Sequence, residues 1–567
     1  MKDIILNSYL QDFSEKFNFS EIEQDKLFEH FVNYNMVSKL YPNEIDDIES
    51  LSVGDGGDTG IDGLAILVNG NIVTSKEEVV DLIQINKGIE VQFVFIQAKN
   101  SPKFESSQVA TFTYGVKHFF REKAIIAENE RVKQLRAVKD FIYEKASNFN
   151  RGKLPEIRMY YVSTGEWKNP DDIINRNQDE LSELQNKNIF GNITKVEFID
   201  RENIKNIWQE LSRSIEKEIV FTNKINLPDL PKDLNVVQSF IGSLEAKEYI
   251  KLISNSNGDI LKELFYDNVR DYQGMNKINK EIAETLNDDS KKFLMPLLNN
   301  GITIIAKQIN PVGNKITLSD FQIVNGCQSS HILHNLKDIN LEGVSIVVKI
   351  IQTTNQDIIN SIIIATNKQT EVKDEAFESI KPFHGKLNSY FLAKSQNCSN
   401  KIYYERRSKE YSNNPAIKPY QIVTLSYLTK AYISSVLEQP QSTHRYFGEL
   451  ISSNDDKIFK SEKNIDDYYL SAFILKKIDS LFNRKKLSNK YKIYKFHILF
   501  LIFIRIKKSK NKIDIDTLDF SDYAKQACQI IAMVNKENGN HQSYHKNIRD
   551  KHFTLQIKER EKNFQYS

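Results

Sequence analysis

Four residues near the start of this 567-residue chain carry the groups that phosphodiester hydrolysis requires. Asp62 stands in Gly56-Gly57-Asp58-Thr59-Gly60-Ile61-Asp62-Gly63, where a glycine-rich turn enters a strand. Gln97 and Lys99 stand two apart in Phe95-Ile96-Gln97-Ala98-Lys99, so strand alternation puts them on one face. Glu29 lies at the edge of a helical apolar stripe. A carboxylate can hold a divalent cation beside a scissile phosphate, and the cation lowers the pKa of its bound water. Mg²⁺ keeps most of its waters and takes only one or two carboxylates. Asp62 is therefore the expected principal ligand of Mg²⁺ or Mn²⁺, with the Gln97 amide oxygen and the Ala98 carbonyl completing the site. Lys99 would address the water and the developing negative charge. Glu29 would reach the metal through water. Gln108, on the next helix, is a candidate nucleic-acid contact.

The elements that must position these groups are legible around them. Residues 20–40 repeat Leu27, Phe28, Phe31, Val32 and Met36 at helical spacing, with Ser20 as the expected N-cap. Strands are expected at 61–68, 91–98, 159–163 and 195–199, and a helix at 104–121. An inserted hairpin or loop is needed around 69–90. Two prolines among polar residues at 224–235 read as a linker. Beyond it, strands are expected at 301–306, 315–318, 321–324 and 344–351, and mostly helix from about 375. The expected domains are 1–222, 236–415 and 416–567: an α/β domain with a mixed sheet and flanking helices, a second α/β domain, and a mainly α-helical C-terminal region.

Phe28-Glu29, Gly57-Asp58-Thr59-Gly60-Ile61-Asp62-Gly63 and Gln97-Ala98-Lys99, in that order, resemble the PD-(D/E)XK nuclease pattern, closest to its Mrr-like restriction-endonuclease branch. The resemblance covers about 15–220. It implies a restriction-endonuclease-like sheet and Mg²⁺-dependent cleavage. Gln97 stands where an acid is usual, which removes one negative charge from the site.

A second set of polar residues interrupts apolar strands: Phe265–Gly274 with Arg270, Asn299-Asn300-Gly301, Ile323-Val324-Asn325-Gly326-Cys327-Gln328-Ser329, Ala365-Thr366-Asn367 and Tyr403-Tyr404-Glu405-Arg406-Arg407. Arg270, Asn300, Asn325, Gln328, Asn367 and Arg406 are candidate contacts to nucleic acid or a nucleotide. Together these segments resemble the AIPR family of abortive-infection phage resistance, over about 240–420. Ile323–Ser329 followed by Ala365–Asn367 is also faintly similar to ParB-like and DGQHR-type domains.

Charge is uneven. Residues 481–567 hold 19 Lys+Arg against 8 Asp+Glu, a surplus of 11, so the rest of this +2 chain sums to −9. A basic segment attracts polyanions. Three scattered cysteines argue against a disulfide framework or a cysteine zinc site. The start lacks a leader-like apolar core, and Phe496–Ile506 is too short to span a bilayer. His541, His545 and His552 cluster, without a metal motif. The expectation is a cytoplasmic anti-phage endonuclease, homo-oligomeric and off the membrane. Its substrate is expected to be DNA ahead of RNA, and a nucleotide or phage-derived trigger would act through the AIPR domain. An RNase, or a nucleic-acid-binding regulator without catalysis, is the alternative.

Overall fold

The computed structural model describes every residue except 1–2, 20–21, 42–43, 55–59, 87, 151–152, 192–195, 213–214, 256–257, 266–276, 368–377, 380, 397, 407–409, 412–413, 415, 510–514, 516, 540–546 and 565–567. The chain forms two compact units, Met1–Leu211 with Pro382–Ser567, and Ser212–Lys381. Segment 382–415, expected with the middle region, thus packs with the chain ends.

The N-terminal part of the first unit is a five-stranded mixed sheet in the order β2-β1-β3-β4-β5. Its strands are β1 (Gly63–Val68), β2 (Asn71–Val73), β3 (Val91–Lys99), β4 (Glu156–Ser163) and β5 (Glu197–Ile199). β1 pairs antiparallel with β2 and β3, whereas β3, β4 and β5 run parallel. α1 (Ile4–Phe17), α2 (Gln24–Ser38) and α7 (Arg201–Ser212) cover one face. α3 (Lys76–Asn86), α4 (Ser106–Phe119), α5 (Glu130–Glu144) and α6 (Asp171–Gln185) cover the other. β1 and β3 read as continuous apolar runs because both faces are buried. Ser20 lies outside the described residues, and the α2 N-cap is Glu23.

The expected insertion is a hairpin followed by a helix. Asn69 (φ 49°) and Gly70 (φ 77°) turn β1 into β2, the Asn-Gly signal of a two-residue hairpin. Helix α3 then carries Asp81, which is 1% exposed, into contact with Arg445 (2.6 Å) and the Tyr446 amide (3.1 Å).

The second unit is built on a six-stranded mixed sheet in the order β6-β10-β9-β11-β8-β7. The strands are β6 (Glu216–Val220), β7 (Asn223–Asn226), β8 (Val236–Glu245), β9 (Ile302–Val312), β10 (Lys315–Asn325) and β11 (Ser345–Thr353). Part of the expected linker is therefore a strand: β7 pairs with β8 so closely that a Cβ on Gly242 would lie 1.9 Å from the Asn223 carbonyl oxygen. The two short strands expected at 315–324 are one, continuing through Asp320 at φ 49°. α8 (Ala246–Ile253), α9 (Lys277–Asn287), α10 (Met295–Leu298) and α11 (Cys327–Asn335) contribute to one apolar core, and α12 (Gln356–Asn367) closes a smaller one with Ile305 and Val324.

The C-terminal part of the first unit is mainly helical: α13 (Pro382–Gln396), α14 (Leu425–Ser435), α15 (Phe447–Ser452), α16 (Ile465–Asn483), α17 (Lys495–Lys508), α18 (Phe520–Glu537) and α19 (Lys551–Lys562). A short parallel pair joins β12 (Tyr403–Tyr404) to β13 (Ile422–Val423). The apolar run foreseen at 496–506 is the buried helix α17. Among the described residues, no helix is long and apolar enough to cross a membrane.

Several C-terminal cations are spent inside the unit rather than displayed. Lys492 pairs with Asp47 (3.0 Å) and Glu49, Lys495 with Asp47 (3.3 Å) and Asp479 (3.6 Å), and Arg549 with Glu77 (2.7 Å). These three cations are thus matched by carboxylates from the opposite end of the chain.

Candidate functional site

Asp62 is set at the mouth of β1 by main-chain bonds on both sides. Its N–H donates to the Ile96 carbonyl (2.9 Å), and its carbonyl accepts from the Val53 N–H (3.0 Å). The ladder between β1 and β3 ends at the Gly63–Ile96 pair. The next position on that edge of β3 is Ala98, whose N–H donates to Asp62 Oδ2 at 2.9 Å. A strand residue's N–H and C=O share an edge, so the Ala98 carbonyl faces the same side as the Asp62 carboxylate. Gln97 and Lys99 both reach Asp62 Oδ2, Gln97 through its Nε2 and Lys99 through Nζ at 3.8 Å. Gln97 is 2% exposed, and the Asp62 side chain 14%.

Glu29 reaches the same place from α2. A Cβ built on Gly54 would lie 3.3 Å from Asp62 Oδ1 and from both Glu29 carboxylate oxygens. Two carboxylates therefore converge on one point, and the glycine leaves that point open. Burial pushes the Glu29 carboxyl up to about 7; Lys26 opposes this and the Asp62 charge adds to it. Such a carboxyl is near half-ionised at neutral pH, so a cation arriving between Glu29 and Asp62 would relieve a real electrostatic cost. Among the described residues no group of three or more His, Cys, Asp or Glu is placed to hold a metal. Two carboxylates and a main-chain carbonyl nevertheless suit an oxygen-seeking ion such as Mg²⁺ or Mn²⁺.

The Gln97 amide NH₂ faces Asp62 Oδ2 and donates to it. Ligation by Gln97 would require the amide to turn over.

A supporting layer was not singled out in the sequence. Lys26 donates to Glu29 Oε1 (2.8 Å) and to the Gly54 carbonyl. Its spacing from Glu29, three residues on one helix, is the signal that could have found it. Asn33, one turn after Glu29, donates to Ser52 Oγ (3.0 Å) and to the Asp62 carbonyl (3.4 Å). His30 bonds the same Ser52 hydroxyl (2.9 Å), and burial drops its pKa to about 3, so it serves as a neutral strut. A Cβ on Gly63 would lie 2.1 Å from Asn33 Oδ1, so any side chain here would push the Asn33 amide aside. Asp58 lies outside the described residues, and Gln108 is exposed near the start of α4.

The second polar set is brought together only in part. Asn325 ends β10, Gly326 (φ 99°) turns the chain, and Gln328 lies in the first turn of α11. Gln328 accepts from Asn279 (2.7 Å), and Asn299 donates to Ser329 (2.7 Å) while taking the Gly301 N–H (3.0 Å). Neighbouring amides and hydroxyls thus organise this helix start. Asn300 is exposed beside it. Asn367 ends α12, and Arg270 lies outside the described residues. Arg406 belongs to the other unit, where its N–H donates to Glu410 (2.9 Å). It goes there because Tyr404, two residues earlier, is tied to α13 through His384 (2.7 Å) and Asn388 (2.8 Å).

The model of the AIPR protein family matches residues 265–546 and supports assignment to that family. The match runs beyond the expected boundary near 420 and takes in helices α14 to α18. No curated protein and no solved structure matches the chain.

Proposed function

We propose that the protein is an abortive-infection defence nuclease whose first unit cleaves nucleic acid, DNA ahead of RNA, with Mg²⁺ or Mn²⁺. The AIPR match points to anti-phage defence. The observation that carries the nuclease reading is the convergence of Glu29 and Asp62 on one open point beside Lys99. Asp62, Glu29 and the Ala98 carbonyl would hold the ion. A bound divalent cation supplies charge neutralisation and a more acidic water. Lys99, its ammonium fixed against Asp62, would face the phosphate and offset negative charge as it builds. Lys26 holds Glu29 in place and partly neutralises it. The second unit, with Asn325 and Gln328 at the start of α11, would bind the ligand that controls the cut.

The test is plasmid and tRNA incubation with and without Mg²⁺. Asp62→Ala and Lys99→Ala should each lower cleavage by at least a hundredfold in folded protein. Full activity in both variants would remove the site from consideration. A second reading, nucleic-acid binding without catalysis, rests on Gln97 standing where an acid is usual, which weakens the hold on a cation. Tight binding with no metal-dependent cleavage would select it.

A further inference from the structure

One wall of the carboxylate site is a strap, residues 47–54, gripped from three directions. Its apolar side chains Ile48, Leu51 and Val53 are buried. Burial is non-directional, so hydrogen bonds and ion pairs set how the strap is turned. Two come from α5: Arg131 donates to the Ser50 carbonyl and Asn129 to the Val53 carbonyl, each at 2.6 Å. Three come from α2: His30 and Asn33 bond the Ser52 hydroxyl, and Lys26 donates to the Gly54 carbonyl. The strap in turn touches the site. The Val53 N–H donates to the Asp62 carbonyl (3.0 Å). Burial raises the Glu29 carboxyl, and bonds from Lys26 and Ser52 oppose it.

The third grip comes from the other end of the chain. Lys492 pairs with Asp47 (3.0 Å) and with Glu49, and Lys495, the first residue of α17, pairs with Asp47 (3.3 Å). Asp47 also caps the single helical turn of the strap, Ile48–Leu51, by accepting from the Ser50 N–H (3.2 Å). The two carboxylates differ in what they keep when Lys492 is lost. Asp47 retains Lys495. Glu49 has Lys492 as its one ion-pair partner among the described residues, and its side chain is 16% exposed. A half-buried carboxylate stripped of its cation is costly, and turning the strap outward is what returns it to water.

We propose that Lys492 is a positioning residue for the Glu29–Asp62 site: through Asp47 and Glu49 it fixes the strap that brings Ser52 and Gly54 to these carboxylates, so the helical part of the unit controls metal loading. The inference rests on the reading of Glu29 and Asp62 as a cation site. Charge by itself acts in the opposite direction. Removing a lysine leaves the neighbourhood more negative, which tightens the hold on a divalent cation. A weakened hold is therefore the mark of displaced geometry, and groups that orient metal ligands typically cost about 10–100-fold in metal affinity when removed.

The test compares the full-length parent with Lys492→Met and Lys492→Arg, by Mn²⁺ calorimetry and by hydrogen exchange, both well below the unfolding midpoint of each protein. Lys492→Met should weaken Mn²⁺ binding about tenfold or more. It should also speed exchange across 47–54 about tenfold or more while the five-stranded sheet exchanges as in the parent. Lys492→Arg, which can still hold both carboxylates, should restore both. Unchanged or tighter Mn²⁺ binding in Lys492→Met overturns the inference, as does unchanged exchange in 47–54 or an acceleration shared equally by the sheet. The two readings fail differently. A parent that binds Mn²⁺ and a Lys492→Met variant that matches it refute the positioning role alone. A parent that binds no Mn²⁺ refutes the cation site, and the positioning role falls with it.

Discussion

Replacing Glu29 by Gln should make the protein more stable at alkaline pH while weakening its grip on a divalent cation. Burial holds the Glu29 carboxyl at about 7 instead of 4.5. Its folded-state pKa is raised, so between these values the folded chain binds more protons than the unfolded one. Stability then falls as pH rises through the window and is lowest above 7. At about 1.36 kcal/mol per pH decade, the full cost at pH 8 is about 3 kcal/mol. The side chain is only 12% exposed, so little of this is screened. Gln at this position keeps the shape and removes the charge. The raised value already includes the pair with Lys26, so the gain is about 3 kcal/mol at pH 8, shrinking toward zero below pH 4.5. Urea unfolding of parent and variant across this range, with chelator present, reads the difference directly. Mn²⁺ should then stabilise the parent at pH 8 more than the variant. A variant no more stable than the parent at pH 8, or one with the same pH slope, would show that the Glu29 carboxylate carries no buried cost.

Other perturbations follow from the same geometry. Gly63→Ala forces a Cβ to within 2.1 Å of Asn33 Oδ1 and displaces the bonds from Asn33 to Ser52 and Asp62. Overpacking and a broken buried bond should together cost about 2–4 kcal/mol in urea unfolding, with cleavage reduced in step. Gln97→Glu adds a carboxylate beside Asp62: apo protein should lose about 1–2 kcal/mol by like-charge repulsion, and Mn²⁺ affinity by calorimetry should rise tenfold or more. Arg445→Ala leaves Asp81 buried with only the Tyr446 amide. It should cost about 3 kcal/mol and expose α3 to proteolysis, whereas Lys430→Ala, which removes a 3.7 Å pair between α14 and Glu78 of α3, should cost under about 1 kcal/mol.

What the sequence determined by itself was local. Continuous apolar runs made β1 and β3, the Leu27–Met36 stripe made α2, and period-two alternation put Gln97 and Lys99 on one face, because side-chain direction follows from strand and helix geometry alone. The convergence of Glu29 with Asp62 across Gly54 was a matter of tertiary packing: it depends on where α2 crosses the sheet. The same holds for the orientation of the Gln97 amide, chosen by the buried carboxylate it meets. From the sequence the basic C-terminal segment is either an attractor of polyanions or a solvated surface, and three of its cations, Lys492, Lys495 and Arg549, find counter-ions at Asp47, Glu49 and Glu77. Those partners lie more than four hundred residues away along the chain. No periodicity or spacing rule reaches so far; only folding, by bringing opposite charges within a few ångströms in a low-dielectric interior, decides which ones meet.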